Sequence, residues 1–228
     1  ASHELRTPLT IANANNQMVM DDGNVQESAF LQKRVNSIDN ALIRMETVVT
    51  SMLDMAKIDS QSLELRVMPM NIVTLIRIVS GQLSRASTER DIDITIKSMK
   101  LPDIMGDMEA LQKVFHHIII NAIKYTPDGG RITISGWDTG AGVEIVVRDT
   151  GIGIAPELHK VIFDKFYQTG QVMLHSSGKT TFKGGGSGLG LAIAKGIVEG
   201  HNGRLWVESD GHDEERYPGS AFHITLPY

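Results

Sequence analysis

A histidine, a glutamate and a threonine share one helical surface near the start of this chain, in Ser2-His3-Glu4-Leu5-Arg6-Thr7-Pro8-Leu9-Thr10. Leu5, Leu9, Ala12, Asn16 and Val19 recur at alternating four- and three-residue spacing, the pattern of a helix that packs one seam into a bundle. At about 100° per residue, His3 falls roughly 160° from the centre of that seam, so its imidazole faces water or a partner. Thr7 lies one turn further on and Glu4 is adjacent, which puts a nitrogen nucleophile, a carboxylate and a hydroxyl on one accessible face. Pro8 has no N–H to donate and crowds the carbonyl of Glu4, so a bend and a freed acceptor are predicted beside His3. Taken alone, an exposed helical histidine is more often a solvated side chain than a reacting one.

The context changes that weighting. The segment around His3 resembles the phosphoacceptor box of sensor histidine kinases, and four later segments resemble the boxes of the ATP-binding fold that these kinases share with chaperone, topoisomerase and mismatch-repair ATPases. The first is Asn121-Ala122-Ile123-Lys124-Tyr125-Thr126-Pro127. Asn121 and Lys124 are three apart on one helix and point the same way, an amide oxygen for Mg²⁺ and an ammonium for phosphate, although such a pair also suits a plain solvated face. The second is Asp149-Thr150-Gly151-Ile152-Gly153-Ile154, where a carboxylate at a strand end accepts from the adenine amino group while Gly151 and Gly153 let backbone approach the base. The third, Phe163-Asp164-Lys165-Phe166-Tyr167, resembles the family's F box, in which aromatics anchor a lid and a cation, here Lys165, approaches the γ-phosphate; core packing alone would also explain Phe163 and Phe166. The fourth is Gly184-Gly185-Gly186-Ser187-Gly188-Leu189-Gly190-Leu191, opening a helix whose free amides and positive dipole end make a phosphate cradle. A glycine run before a helix is weak when solitary. The polar, glycine-punctuated stretch from Gln168 to Lys183 reads as the ATP lid, with Lys179 and Lys183 balancing triphosphate charge.

Two positions depart from the resemblance. His117 stands four residues before Asn121, where histidine kinases usually carry a second Asn that assists the metal shell. Neutral imidazole is a poor ligand for Mg²⁺, so that role is in doubt here. Chaperone and topoisomerase relatives place a water-activating Glu at the same position, and its absence favours phosphoryl transfer over plain hydrolysis. Lys165 stands where many relatives have Arg, which keeps the charge and loses the bidentate fork.

Elements must hold these residues in place, and the bulk numbers allow it. The chain has 228 residues, 41% of them hydrophobic, enough for two modest domains each with a core. A net charge of -5, with no dense basic tract, argues against nucleic acid as a partner. Cysteine is absent, which excludes disulfide and thiol chemistry and fits a reducing cytosol. No apolar run approaches the roughly 20 residues of a membrane span, so no membrane contact is expected from this segment. With His3 so near the first residue, the segment is expected to be cut from a longer, cytoplasmic-facing protein with a sensor or membrane anchor upstream.

The first helix is predicted to run to about Met20 and to stop at Asp21-Asp22-Gly23-Asn24. A second begins nearby, with a heptad seam at Leu31, Val35, Ile38, Leu42, Met45, Val49, Met52 and Ala56. Together they make an antiparallel hairpin, and two hairpins related by a twofold axis make a four-helix bundle, a homodimer through residues 1–60. Periodicity changes around Pro69, so residues 1–66 form the dimerisation and phosphotransfer domain and residues 67–228 the catalytic one. In the latter, helices are predicted over Asn71 to about Ser87, Asp107 to Tyr125 and Leu189 to about Glu199. Strands are predicted over Asp91 to Met99, Arg131 to Trp137, Val143 to Arg148, Gly203 to Ser209 and Ser220 to Leu226. The expected fold is therefore an all-α helical hairpin followed by an α/β sandwich, and the resemblance implies that the sandwich is of the GHKL ATPase type.

The resemblance implies ATP-dependent autophosphorylation of His3 and transfer of the phosphoryl group to an aspartate of a response regulator receiver domain. It implies catalytic roles for His3, Glu4 and Thr7, with Glu4 accepting the second ring proton and Thr7 orienting water for dephosphorylation of the regulator. Nucleotide contacts are implied for Asn121, Lys124, Tyr125, Asp149, Gly151, Gly153, Lys165, Gly186, Ser187, Gly188, Leu189 and Gly190, with Mg²⁺ on Asn121. An ATP-binding scaffold or pseudokinase, or a chaperone-type ATPase, would use the same nucleotide residues.

Overall fold

The computed structural model describes residues 2–167, 182 and 187–228; side chains are described outside residues 2–6 and 24. The chain divides into two compact units, Ala1–Asp59 and Ser60–Tyr228. Residues 60–66, placed with the helical part on sequence, go with the second unit. Leu63 and Leu65 pack at Gly200, and the Arg66 N–H donates to Asp107 Oδ2 at 2.8 Å.

The first unit is a helical hairpin. Helix α1, Ser2–Met20, continues through Pro8, and α3, Ala29–Asp59, returns alongside it. The expected turn between them holds a further five-residue helix, α2, Gly23–Glu27. Leu9, Asn16, Val25, Val35, Ser51 and Met55 are buried between the helices. The buried Asn16 amide donates to Asp39 Oδ1 at 3.2 Å, and a polar group of this kind on a seam fixes the register of the two helices. The seam of α3 is wider than one chain can cover. Leu31, Ile38, Met45 and Met52, spaced by seven, are exposed, and so is Ala56, whose place in the interior is taken by Ser51 and Met55.

The second unit begins with β1, Met68–Met70, then α4, Ile72–Gln82, α5, Ser84–Thr88, and β2, Asp93–Ile96. Next come β3, Ile104–Gly106, α6, Met108–Tyr125, β4, Arg131–Asp138, β5, Gly142–Asp149, and β6, Gly153–Ile154. Helix α7, Gly190–Gly200, and strands β7, Arg204–Glu208, β8, Gly211–His212, and β9, Ser220–Pro227, complete it. The main sheet has the order β2-β4-β5-β9-β7, antiparallel except for the β2-β4 pair. Ile132, Ile134, Val143, Ile145, Val147, Phe222, Ile224 and Leu226 bury one face of it with the apolar sides of α4, α6 and α7. The helix expected from Asn71 to Ser87 is broken at Leu83, the C-cap of α4. Strands β1, β3, β6 and β8 escape sequence patterning because two or three residues cannot show a period.

Capping fixes where α6 and α7 sit. Asn71 and Asp107 accept from Thr74 and Ala110 N–H as N-caps of α4 and α6. Partial burial acts to raise the Asp107 carboxyl, but the N–H groups of Ala110, Arg66 and Glu109 outweigh it and hold the group below its usual range. His201, buried at the C-cap of α7, accepts the Asp107 N–H through Nε2 at 2.9 Å, so its Nδ1 donates to the Ile197 carbonyl at 2.8 Å. One neutral ring thereby ties the end of α7 to the beginning of α6. His201→Ala is expected to cost roughly 1–3 kcal/mol by orphaning the Asp107 N–H. Tryptophan fluorescence reads this directly, since both tryptophans, Trp137 and Trp206, lie in the second unit.

Candidate functional site

Asp149, the last residue of β5, is a carboxylate buried to 6% exposure in the second unit. Its Oδ1 accepts the Gly151 N–H at 2.8 Å and the Ser220 N–H at 3.2 Å, which leaves Oδ2 as the oxygen for a ligand. Burial pushes this carboxyl up to about 6 against the pull of the two N–H donors and of nearby Arg148. Ser220 was not legible as part of the site. It is far from Asp149 in sequence and comes beside it only because β9 pairs antiparallel with β5, Asp149 opposite Ser220.

From Asp149 a chain of close contacts runs through the other predicted segments. A side chain at Gly151 would meet the Tyr125 carbonyl at 2.4 Å, and that carbonyl accepts the Ile152 N–H at 3.1 Å. The loop after β5 is thus seated on the C-terminal end of α6. Asn121 and Lys124 are half-buried on the preceding turn, and Lys124 Nζ lies 4.7 Å from the Tyr125 ring centroid. Further back along α6, the imidazole of His117 lies against Gly190, the first residue of α7. Gly188, at φ 70°, presses on the backbone of Phe166, itself at φ 61°. A Cβ at Gly188 would stand 2.7 Å from the Phe166 carbonyl carbon, so the close approach of these two strained segments requires glycine there.

The predicted nucleotide residues fall into this frame as follows. Asp149, Gly151, Asn121, Lys124 and Tyr125 lie at or near the ends of β5 and α6, whereas Gly153 lies in β6, against Gly211 and Pro218. Ser187, Gly188, Leu189 and Gly190 form the entry to α7, where the Ser187 hydroxyl accepts the Leu189 N–H at 3.3 Å. Lys165 is exposed beside Phe166, while Phe163 is buried and packs edge-on to Phe222 at 6.4 Å between centroids. Gly186, Lys179, Lys183 and the rest of the expected lid, apart from Phe182, lie outside the described residues. The side chains of His3 and Glu4 also lie outside them, and Thr7 is exposed on α1. A site of this composition suits a ligand with a donor amine at one end and anionic groups at the other. Among the described residues no group of three metal-binding side chains gathers, so any cation here would be held by few protein oxygens.

Residues 106–228 match the family of histidine kinase-, DNA gyrase B- and HSP90-like ATPases, and residues 1–61 match the His Kinase A phospho-acceptor domain. The chain is a member of the sensor histidine kinase family. Among curated sensor histidine kinases it is 31% identical over 235 residues to WalK of Bacillus subtilis, covering 100% of this chain and 35% of WalK. It is 30% identical over 227 residues to histidine kinase P4 of Formosa agariphila, covering 99% of this chain and 16% of that protein. The chain therefore spans well under half the length of these relatives. Among solved histidine kinases, full-length ShkA in complex with AMPPNP superposes with a TM-score of 0.82 at 26% identity, over 99% of this chain and 44% of ShkA. ThkA in complex with the response regulator protein TrrA gives 0.63 at 27%, over 99% of this chain and 59% of ThkA. In this histidine kinase no described helix is long and apolar enough to cross a membrane.

Proposed function

We propose that this chain is the phosphotransfer and catalytic portion, residues 1–59 and 60–228, of an ATP-dependent protein-histidine kinase. It autophosphorylates His3 and passes the phosphoryl group to an aspartate of a response regulator. The observation that carries the reading is the unbroken run of contacts from buried Asp149 through α6 to the glycine entry of α7 and the Phe166 segment. It joins all four nucleotide-like segments in a chain that also holds a phospho-acceptor domain.

In this reading the Oδ2 of Asp149 accepts from the adenine amino group, and the amides of residues 187–190, with Lys124 and Lys165, face the phosphates. The amide oxygen of Asn121 fits Mg²⁺, an ion that takes one or two protein oxygens and completes its shell with phosphate and water; when bound it neutralises triphosphate charge. Phosphoryl transfer then asks of the chain mainly alignment. An unprotonated imidazole nitrogen of His3 bonds to the γ-phosphorus as the bond to the β-phosphate oxygen breaks, and ADP leaves. Glu4 takes the proton from the other ring nitrogen, and Thr7 orients water when the regulator is dephosphorylated. The segment works in the cytoplasm.

The exposed stripe of Leu31, Ile38, Met45 and Met52 supports a homodimer, because a second hairpin is the partner that matches a heptad seam. Replacing both Ile38 and Met45 by Glu is expected to halve the mass seen in sedimentation. A dimer that survives both charges would remove this stripe from the interface.

Incubation with γ-labelled ATP tests the kinase reading. A kinase retains label on the protein in an acid-labile, alkali-stable form. A scaffold retains none, and a chaperone-type ATPase releases the label as free phosphate.

A further inference from the structure

We infer that Arg90, which lies outside every segment singled out in the sequence, is a positioning residue for nucleotide binding and acts by holding the end of α6. The inference rests on the nucleotide site proposed above and adds to it a residue that touches no ligand. Arg90 stands in the turn between α5 and β2, where its own N–H donates to the Ser87 carbonyl at 3.1 Å. Its side chain is only 10% exposed. A guanidinium carries N–H donors and no acceptor, so a buried one must be met by oxygens. Here they come from one short stretch of chain. Nη2 donates to the Thr126 carbonyl at 2.9 Å, Nη1 donates to the Ile123 carbonyl at 3.4 Å, and Nε pairs with Asp128. The Gly129 N–H donates back to the Arg90 carbonyl at 3.3 Å.

A helix ends on carbonyls that its own ladder leaves over, and a cation there also answers the negative end of the dipole. In α6 these carbonyls are shared out. The Ala122 carbonyl accepts the Thr126 N–H, the Ile123 and Thr126 carbonyls go to Arg90, and between them the Tyr125 carbonyl accepts the Ile152 N–H from the loop after β5. The seat of the Asp149 loop is therefore flanked on both sides by carbonyls that one guanidinium fixes. Asn121 and Lys124 lie on the same final stretch of the helix. On another side the guanidinium lies 5.7 Å from the ring centroid of Phe182, a half-buried residue of the chain that leads to α7. Lysine has the charge for this place but not the planar fork that reaches two carbonyls and a carboxylate together.

Positioning separates from mere stability when affinity is measured on folded protein. ADP and adenosine are titrated by calorimetry into the whole chain and into its Arg90→Met, Arg90→Lys and His201→Ala variants, at a temperature where tryptophan fluorescence shows each to be folded. Met keeps an apolar stem without donors, and Lys keeps the charge. His201→Ala is a control that loosens the opposite end of α6, where the ring holds Asp107. Arg90→Met is expected to bind ADP about tenfold more weakly and Arg90→Lys about threefold, the scale of hydrogen bonds from a charged donor. His201→Ala should bind ADP as the parent does. Adenosine should lose affinity for Arg90→Met by a similar factor, because the Asp149 loop is seated on the turn that Arg90 holds. A loss confined to ADP would make Arg90 a direct partner of phosphate and overturn the inference. An equal loss in His201→Ala would reduce Arg90 to stability alone. Unchanged ADP affinity in Arg90→Met would sink this inference and leave the nucleotide site standing, whereas a parent chain that binds no ADP at all would remove both.

Discussion

Asp149→Asn is expected to weaken ADP binding by roughly 10- to 100-fold while making the ligand-free second unit more stable at neutral pH. The two effects have one origin. Oδ1 already accepts two backbone N–H groups, from Gly151 and Ser220, so the amide oxygen of an Asn must occupy that place. Its NH₂ is then forced into the position of Oδ2, where it meets the donor amine of adenine donor to donor. The ligand-free protein gains from the same change, because a buried carboxylate that burial pushes up to about 6 is a charge the fold would sooner neutralise. From an ordinary 3.8 to about 6, the linkage amounts to something on the order of 3 kcal/mol.

The sign fixes a pH profile for each observable. The folded state holds the Asp149 proton to higher pH than the unfolded chain does, so this group's contribution to stability is complete below about 4 and is lost as pH rises through about 6. Asn has no proton to lose, and that fall should disappear from the difference between the two proteins, followed by fluorescence of Trp137 and Trp206. Nucleotide affinity runs the other way. Protonation falls on Oδ2, since Oδ1 is occupied, and turns the acceptor facing the ligand into a donor. Wild-type affinity for ADP should therefore drop as pH falls below about 6, while the Asn variant stays uniformly weak. A variant with normal affinity at pH 7.5 would exclude Asp149 as the adenine contact.

How much of this was legible beforehand follows from the range of the interactions involved. Helices α1, α3 and α6 and strands β4, β5 and β9 are long enough to repeat their period, and each lies within a few residues of its expected bounds. Asp149, Gly151 and Asn121 could be singled out in sequence because local constraints mark them, a strand end, a close backbone approach and one helical face, and their contact with nucleotide is the proposal made above. The second donor to Asp149 could not be, because Ser220 is brought there by strand pairing alone. Likewise nothing near His201 in sequence reveals that its ring caps α7 and accepts from Asp107. The break in the expected helix at Leu83 and the exposed half of the α3 seam are outcomes of packing, which periodicity cannot divide between partners. His117 drew attention in sequence as a departure, and nothing local revealed that its ring would lie against Gly190 at the start of α7.

His3→Gln should abolish retained label from γ-labelled ATP, to at least about 100-fold below the parent, with ADP affinity unchanged. Gln approximates the reach of imidazole and offers a neutral amide, so helix α1 has no reason to change, but an amide nitrogen has no free lone pair with which to attack phosphorus. Every residue proposed to hold nucleotide lies in the second unit, which is why affinity and labelling should separate so completely. Glu4→Gln should give an intermediate result: labelling slowed by about 100-fold or more, as expected when a proton acceptor is removed, yet reaching the same chemical form. Label that survives His3→Gln with the same acid lability would move the acceptor to another histidine, and loss of both label and ADP binding would mean that the substitution had disturbed more than the nucleophile. Only retention of binding with loss of label assigns the phosphoryl group to the ring nitrogen of His3.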